Sequence, residues 1–158
     1  MTKDDNSRFI AGLQHAWLRE RASARIYRAL AEREQTEARR NVLLKLAETE
    51  DRHAAKWAAR LQELGATVPQ DRDTLRDRLW RWTLVQSGTD NALKRIESSE
   101  DDDTEMYETL AREAPTEADR ATITAVQHDE ETHGRLMHSA GTSAAPATPN
   151  DPRSRLDS

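Results

Sequence analysis

The chain has 158 residues, a net charge of −5 and no cysteine. That length fits one domain, and the missing cysteines exclude disulfides, thiolate metal sites, iron–sulfur clusters and a cysteine nucleophile. Any metal must sit on oxygen and nitrogen ligands, and with 29 acidic residues and no basic stripe to offset them, nucleic acid is not an expected partner. Hydrophobic residues make up 35% and charged residues 34%. That composition is lean for a globular core, but long amphipathic helices need only a narrow apolar stripe.

Ala, Leu, Arg and Glu dominate and β-branched residues are sparse, so the prediction is all-helical. A first helix is predicted over 7–34, with Asn6 or Ser7 as its N-cap. A second is predicted over 37–64, capped by Thr36 and ended by Gly65. Residues 66–73 read as a loop. Asp73 or Thr74 then starts a segment with Leu75, Leu79, Trp80, Trp82, Leu84 and Val85 that reaches Gly88. The Trp80/Trp82 pair is expected to cover the bundle or a dimer contact. A further helix is predicted over 90–113, and Pro115 and Thr116 start the last, which ends near His138. The domain is thus 7–138. Residues 139–158, rich in Ser, Ala, Thr and Pro, read as a disordered tail or linker.

The first two long helices are joined almost directly, as are the last two, so each pair should form an antiparallel hairpin. The connection over 65–89 is long enough to return to the far end of a ~42 Å helix. This predicts a ferritin-like four-helix bundle with one long crossover.

Steps of three and four residues pick out one inward stripe per helix. They are Ile10, Leu13, Trp17, Glu20, Ala24, Tyr27, Ala31; Leu43, Leu46, Glu50, His53, Trp57, Leu64; Leu93, Ile96, Glu100, Asp103, Tyr107, Leu110; and Ile123, Val126, Glu130, His133, Met137, Ala140. Each stripe is interrupted near its middle by a carboxylate, and twice by the same motif, Glu50-x-x-His53 and Glu130-x-x-His133. An unpaired buried carboxylate costs several kcal/mol. Four of them at matching depth need a shared compensating partner, and a pair of metal ions supplies it. Residues i and i+3 share a helix face, so a Glu can bridge two metals while the His binds one of them. Oxygen ligands with two imidazoles suit Fe or Mn better than Zn or Ca. Chance alone supplies about half a Glu-x-x-His in such a chain. The signal lies in two copies on inward stripes of separate helices.

The bland readings differ in weight. A lone Glu20 beside Arg19, Arg21 and Arg25 would be a solvated residue, and the acidic run 97–103 an acidic surface. Stripe position raises Glu20 to a ligand, and Glu97 and Glu100 are kept as ligands ahead of Asp103. Tyr27 and Tyr107 read as packing residues whose hydroxyls need partners, with a role in orienting a ligand carboxylate open to them. His15, His128 and His138 read as surface.

Over residues 8–138 the sequence resembles the ferritin-like domain of the rubrerythrin family. The residues that carry the resemblance are Glu20 with Ala24 and Tyr27, Glu50-Asp51-Arg52-His53-Ala54, Thr104-Glu105-Met106-Tyr107, and Glu130-Glu131-Thr132-His133. The stretches 18–34 and 43–66 are similar to the subgroup fused to vacuolar-iron-transporter-like membrane domains. The resemblance implies a di-iron site and oxidation of Fe(II) by O2 or H2O2. It makes Glu20, His53 and His133 terminal ligands and Glu50 and Glu130 bridging ones, these five also forming the catalytic set. The helix over 90–113 would add one or two carboxylates. Alignment on Thr104–Tyr107 puts Ser99 and Asp102 at those positions, whereas the stripe and the transporter-linked subgroup favour Glu97 and Glu100. The cysteine-rich rubredoxin module of rubrerythrin is absent, and with it a built-in source of electrons.

Three readings follow. The first is a ferroxidase-like enzyme of iron homeostasis and oxidative stress. The second is a non-catalytic iron-collecting or iron-sensing domain of a membrane iron transporter, fused or associated. The third, a metal-free structural bundle, leaves the inward carboxylates unexplained. No apolar run approaches the ~18 residues of a membrane span, and the polar start is not a secretory signal. The expected location is therefore cytoplasmic, or the cytosolic face of a membrane if the chain is a fragment. A lean bundle also favours a homodimer.

Overall fold

The computed structural model describes residues 3–98 and 100–142, with side chains described for all of these but 3–5, 97, 100, 101 and 137–142. The described residues form six helices: α1 (Lys3–Arg33), α2 (Glu37–Glu63), α3 (Leu75–Gln86), α4 (Thr89–Glu97), α5 (Glu100–Glu113) and α6 (Glu117–Thr142). None is long and apolar enough to cross a membrane.

Local chemistry sets most of the boundaries. At the end of α2, Gly65 adopts φ 67°. The Ala66 N–H reaches the Leu61 carbonyl at 2.8 Å and the Gly65 N–H reaches the Gln62 carbonyl at 3.0 Å. This double bond pattern satisfies carbonyls that would otherwise be orphaned, and it requires a left-handed residue. A Cβ on Gly65 would meet nothing within 4 Å. Gly65→Ala is therefore expected to cost about 1 kcal/mol through backbone strain alone. The check is a lower urea midpoint at unchanged slope. Helix α3 starts with a reciprocal cap: the Asp77 N–H donates to Thr74 Oγ1 at 3.2 Å, and the Thr74 N–H to Asp77 Oδ2 at 3.1 Å. At α6, the Asp119 N–H donates to Thr116 Oγ1 at 3.1 Å.

Three boundaries depart from expectation. Helix α1 is already helical at Lys3, ahead of the expected cap at Asn6 or Ser7. Helix α6 runs to Thr142, past His138, and the remainder of the expected tail lies outside the described residues. The single helix expected over 90–113 is two, ended by Ser98 after Glu97 and resumed at Glu100. The Ser98 hydroxyl donates to the Arg95 carbonyl at 2.8 Å, a local bond that competes with the helix ladder.

Contacts give the topology. On α5, Leu110 meets Gly12 near the start of α1, while the earlier residues Asp103 and Tyr107 meet Arg19 and Glu20 further along it. Likewise α2 pairs Arg60 with Asp119, His53 with Asp129 and Glu50 with His133 on α6. Helices α1 and α6 thus run one way, and α2 and α5 the other. The parallel pair α2/α5 demands a crossover, and the Arg39–Asp90 ion pair joins the start of α2 to the start of α4 at its far end. The crossover loop and α3 lie along α1. Arg21 and Arg25 grip Asp71, Arg25 also lies 3.7 Å from Asp73, and Arg33 reaches Gln86. These arginines strap the crossover to the bundle. Gly12 lets α5 come close, since a Cβ there would sit 2.7 Å from Leu110 Cδ1.

The apolar core has two parts. One gathers Phe9, Leu13, Trp17, Trp57, Leu110 and Ile123; the other gathers Tyr27, Leu30, Leu43, Leu46, Leu84 and Leu93. Between them lies a layer containing buried Glu20, Glu50, His53 and His133. Trp80 and Trp82 remain more than half exposed rather than covering the bundle.

Candidate metal centre

The polar layer is built by three helices. Helix α1 supplies Glu20, α2 supplies Glu50 and His53 one turn apart, and α6 supplies Glu130 and His133 with the same spacing. Each lies on the inward stripe, so apolar packing above and below sets its depth. One ligand atom from each of Glu20, Glu50, His53 and Glu130 lies within 4.8 Å of all the others. His133 stands beside this group, its Nδ1 3.5 Å from Glu50 Oε1 and 3.7 Å from Glu130 Oε2. The two imidazoles stack, with centroids 6.0 Å apart.

Neighbours fix the ligand side chains. The Tyr107 hydroxyl donates to Glu20 Oε1, and Trp57 Nε1–H donates to the same oxygen at 3.3 Å. His53 Nε2 lies 3.1 Å from Asp129 Oδ2, which leaves Nδ1 turned towards the cluster, 3.0 Å from Glu130 Oε1. That last approach is close in distance but not in hydrogen-bond geometry. His53 Nδ1, Glu130 Oε1 and His133 Nδ1 are all buried without a hydrogen-bond partner. Orphaned buried polar atoms are rare in folded proteins. Here three converge on one layer, and all carry lone pairs when deprotonated. The residues therefore fit a cation held by oxygen and nitrogen.

The electrostatics show how the metal-free layer manages its charge. Burial pushes the Glu50 carboxyl well above the usual carboxylate range, helped by its hydrogen bond to Glu20 and by the charge of Glu130. For His53, burial opposes protonation, but its contacts with Glu130 and Glu20 outweigh that and raise it to about 10. Burial would raise Glu130, yet His133 and His53 bring it down to about 2. Protons thus hold the layer together where a metal would otherwise balance the carboxylates.

Asp103, ranked behind Glu97 and Glu100 from sequence, comes close to this layer. Burial raises it to about 6, the Arg19 charge opposes that, and the Glu130 and Glu20 charges add to it. A cavity of about 80 Å³ opens beside Glu50, lined among others by Ser23, Tyr27, Asp103, Tyr107 and Glu130, and it has room for small molecules of water size. The side chains of Glu97 and Glu100 lie outside the described residues. Asp129 and Trp57, which hold ligand side chains in place, were not singled out for that role. Trp57 carried a signal, because it shares a stripe with His53 and its indole N–H needs an acceptor. Asp129 carried none, since it lies off the inward stripe.

A comparison with known families decides the kinship. The family model described as Rubrerythrin matches residues 12–140. The chain belongs to the rubrerythrin family. Comparison with curated proteins and with solved structures returns no match. The rubrerythrin match spans most of the chain and takes in Glu20, Glu50, His53, Glu130 and His133, so family and geometry point to one layer. A rubrerythrin is a ferritin-like di-iron bundle, which agrees with the crossover topology and with the Glu/His donor set.

Within that rubrerythrin layer the Tyr107 hydroxyl is testable alone. Tyr107→Phe removes a buried hydrogen bond to the Glu20 carboxyl, at an oxygen that otherwise accepts from Trp57 Nε1–H at 3.3 Å. It is expected to cost about 1–2 kcal/mol in chemical denaturation of the metal-free protein, with little change in helicity by circular dichroism.

Proposed function

We propose that this rubrerythrin-family protein binds Fe(II) in the Glu/His layer and oxidises it with O2 or H2O2, a ferroxidase-like activity serving iron homeostasis and defence against oxidants. The supporting observation is the convergence of Glu20, Glu50, His53 and Glu130 within 4.8 Å, with unpartnered buried atoms on His53, Glu130 and His133. Two Fe(II) ions give one electron each, so a pair, with two protons, reduces O2 to H2O2 or H2O2 to two waters. In this reading Glu20, Glu50, His53, Glu130 and His133 would hold the iron, the two carboxylates of the Glu-x-x-His motifs being shared between the ions and the others each serving one. The segment 97–103 adds a carboxylate from Glu97, Glu100 or Asp103. Asp129 holds His53 in the tautomer that offers Nδ1, and Tyr107 and Trp57 hold Glu20 in place. Iron is favoured over manganese by the family, and a cytoplasmic location fits a cysteine-free chain.

The test is anaerobic Fe(II) titration followed by oxygen. About two irons per bundle and a ferric absorbance change on oxygenation support the proposal. Tight binding without oxidation would replace it with the iron-collecting domain of a membrane transporter. No binding would overturn both.

A further inference from the structure

Helix α3 carries an apolar face that the described chain leaves uncovered. Leu75 is 81% exposed, Leu79 63%, Trp80 52% and Trp82 58%, while Leu84 anchors the helix in the core. Leu75, Leu79 and Trp82 follow helical spacing along one side, while Trp80 lies round the flank, where it lines a depression with Leu79 and Arg76. Four side chains of this size leave on the order of 500 Å² of apolar surface in water, near the upper limit for the largest patch on a monomer.

The charges around this face are unlike those of the chain as a whole. Helix α3 holds three arginines, Arg76, Arg78 and Arg81, against one acid, Asp77, in a protein of net charge −5. Asp77 is occupied in the cap with Thr74, and Arg81 pairs with Asp73 at 2.7 Å. Arg76 and Arg78 form no ion pair among the described residues. The same holds for Arg95 of α4, which lines a shallow depression with Arg76, Leu79 and Trp80. A second copy of this chain would set these arginines against themselves across a two-fold axis, with the nearby acids already engaged. An anionic lipid surface presents negative charge at every point. It also accepts tryptophan and leucine at headgroup depth beside arginines that pair with phosphate.

We propose that α3 is a face by which the protein docks on an anionic phospholipid surface, with Leu75, Leu79 and Trp82 entering the headgroup region, Trp80 at its edge, and Arg76, Arg78 and Arg95 pairing with lipid phosphates. It is independent of the metal layer.

The experiment is sedimentation of the full chain with vesicles of phosphatidylcholine alone or mixed with phosphatidylglycerol, at low and high salt. Binding is expected only to the phosphatidylglycerol vesicles, to weaken with salt, and to bring a blue shift in tryptophan emission. Leu79→Glu with Trp82→Glu should abolish it. Arg76→Gln with Arg78→Gln, which leaves the apolar face whole, should weaken it by about tenfold or more. Absence of binding at low salt, or equal binding by both variants, overturns the proposal. So does a dimer in sedimentation equilibrium that Leu79→Glu with Trp82→Glu dissociates, since a second copy would then own the face.

Discussion

Glu50→Gln is expected to lower Fe(II) affinity by about a hundredfold or more, while the metal-free protein unfolds at the same denaturant concentration as the wild type or a higher one. Glu50 is 2% exposed and lies among Glu20, Glu130 and Asp103, whose charges all disfavour its ionisation. An amide of the same shape keeps the packing and the hydrogen bond towards Glu20, and it removes the need to hold a proton. What it loses is the anionic oxygen that a bridging position demands. In the wild type, metal at a hundred times its dissociation constant should stabilise the bundle by about 2.7 kcal/mol, and most of that gain should vanish in the variant. Anaerobic calorimetry and urea titration, with and without metal, measure the two halves. Unchanged affinity would remove Glu50 from the ligand set. A large loss of metal-free stability would make its role structural.

The interrupted stripes made this layer legible, because helical period is a local property that a single sequence carries in full. Glu20, Glu50, His53 and His133 are buried where the steps of three and four put them. The crossover was legible from its length, and the Arg39–Asp90 pair shows where it returns. What the sequence hid depends on contacts between distant segments. Asp129 reads as surface by period and is half exposed, yet its carboxylate lies 3.1 Å from His53 Nε2 of another helix. The pairing of Arg21, Arg25 and Arg28 is hidden in the same way, because Asp51 and Asp71, which they grip, come from other segments. The division between α4 and α5 was hidden for another reason. Periodicity continues across it, while the Ser98 hydroxyl takes the Arg95 carbonyl in a local bond where α4 ends. The Trp80/Trp82 pair looked like a cover because composition cannot say which side of a helix finds a partner.

Metal binding is expected to release at least one proton per bundle at neutral pH and to tighten by about tenfold or more per unit of rising pH. The sources are His53, protonated up to about 10 in the metal-free fold, and Glu50, which holds its proton well above the ordinary carboxylate range. Both must give up that proton before a lone pair can face a cation. The same groups set the stability of the metal-free chain. His53 contributes stability that is complete below its ordinary value of 6.5 and is lost as pH rises through about 10. Glu50 adds to that loss, because its raised value makes ionisation costly in the fold. Glu130 acts in the opposite sense: held at about 2, it contributes stability above 4.5 that disappears as pH falls through about 2. The metal-free protein should therefore weaken on the alkaline side, where metal binds best, and the stabilisation by metal should be larger at pH 8 than at pH 6. Mn(II), which does not oxidise under these conditions, is the probe for both measurements. Calorimetry in two buffers of different ionisation enthalpy counts the protons. The Glu50→Gln variant, which has no proton to lose at that position, should release no more than the wild type. Release of none from the wild type would mean that both groups are already deprotonated in the metal-free layer, and that something other than protons balances its carboxylates.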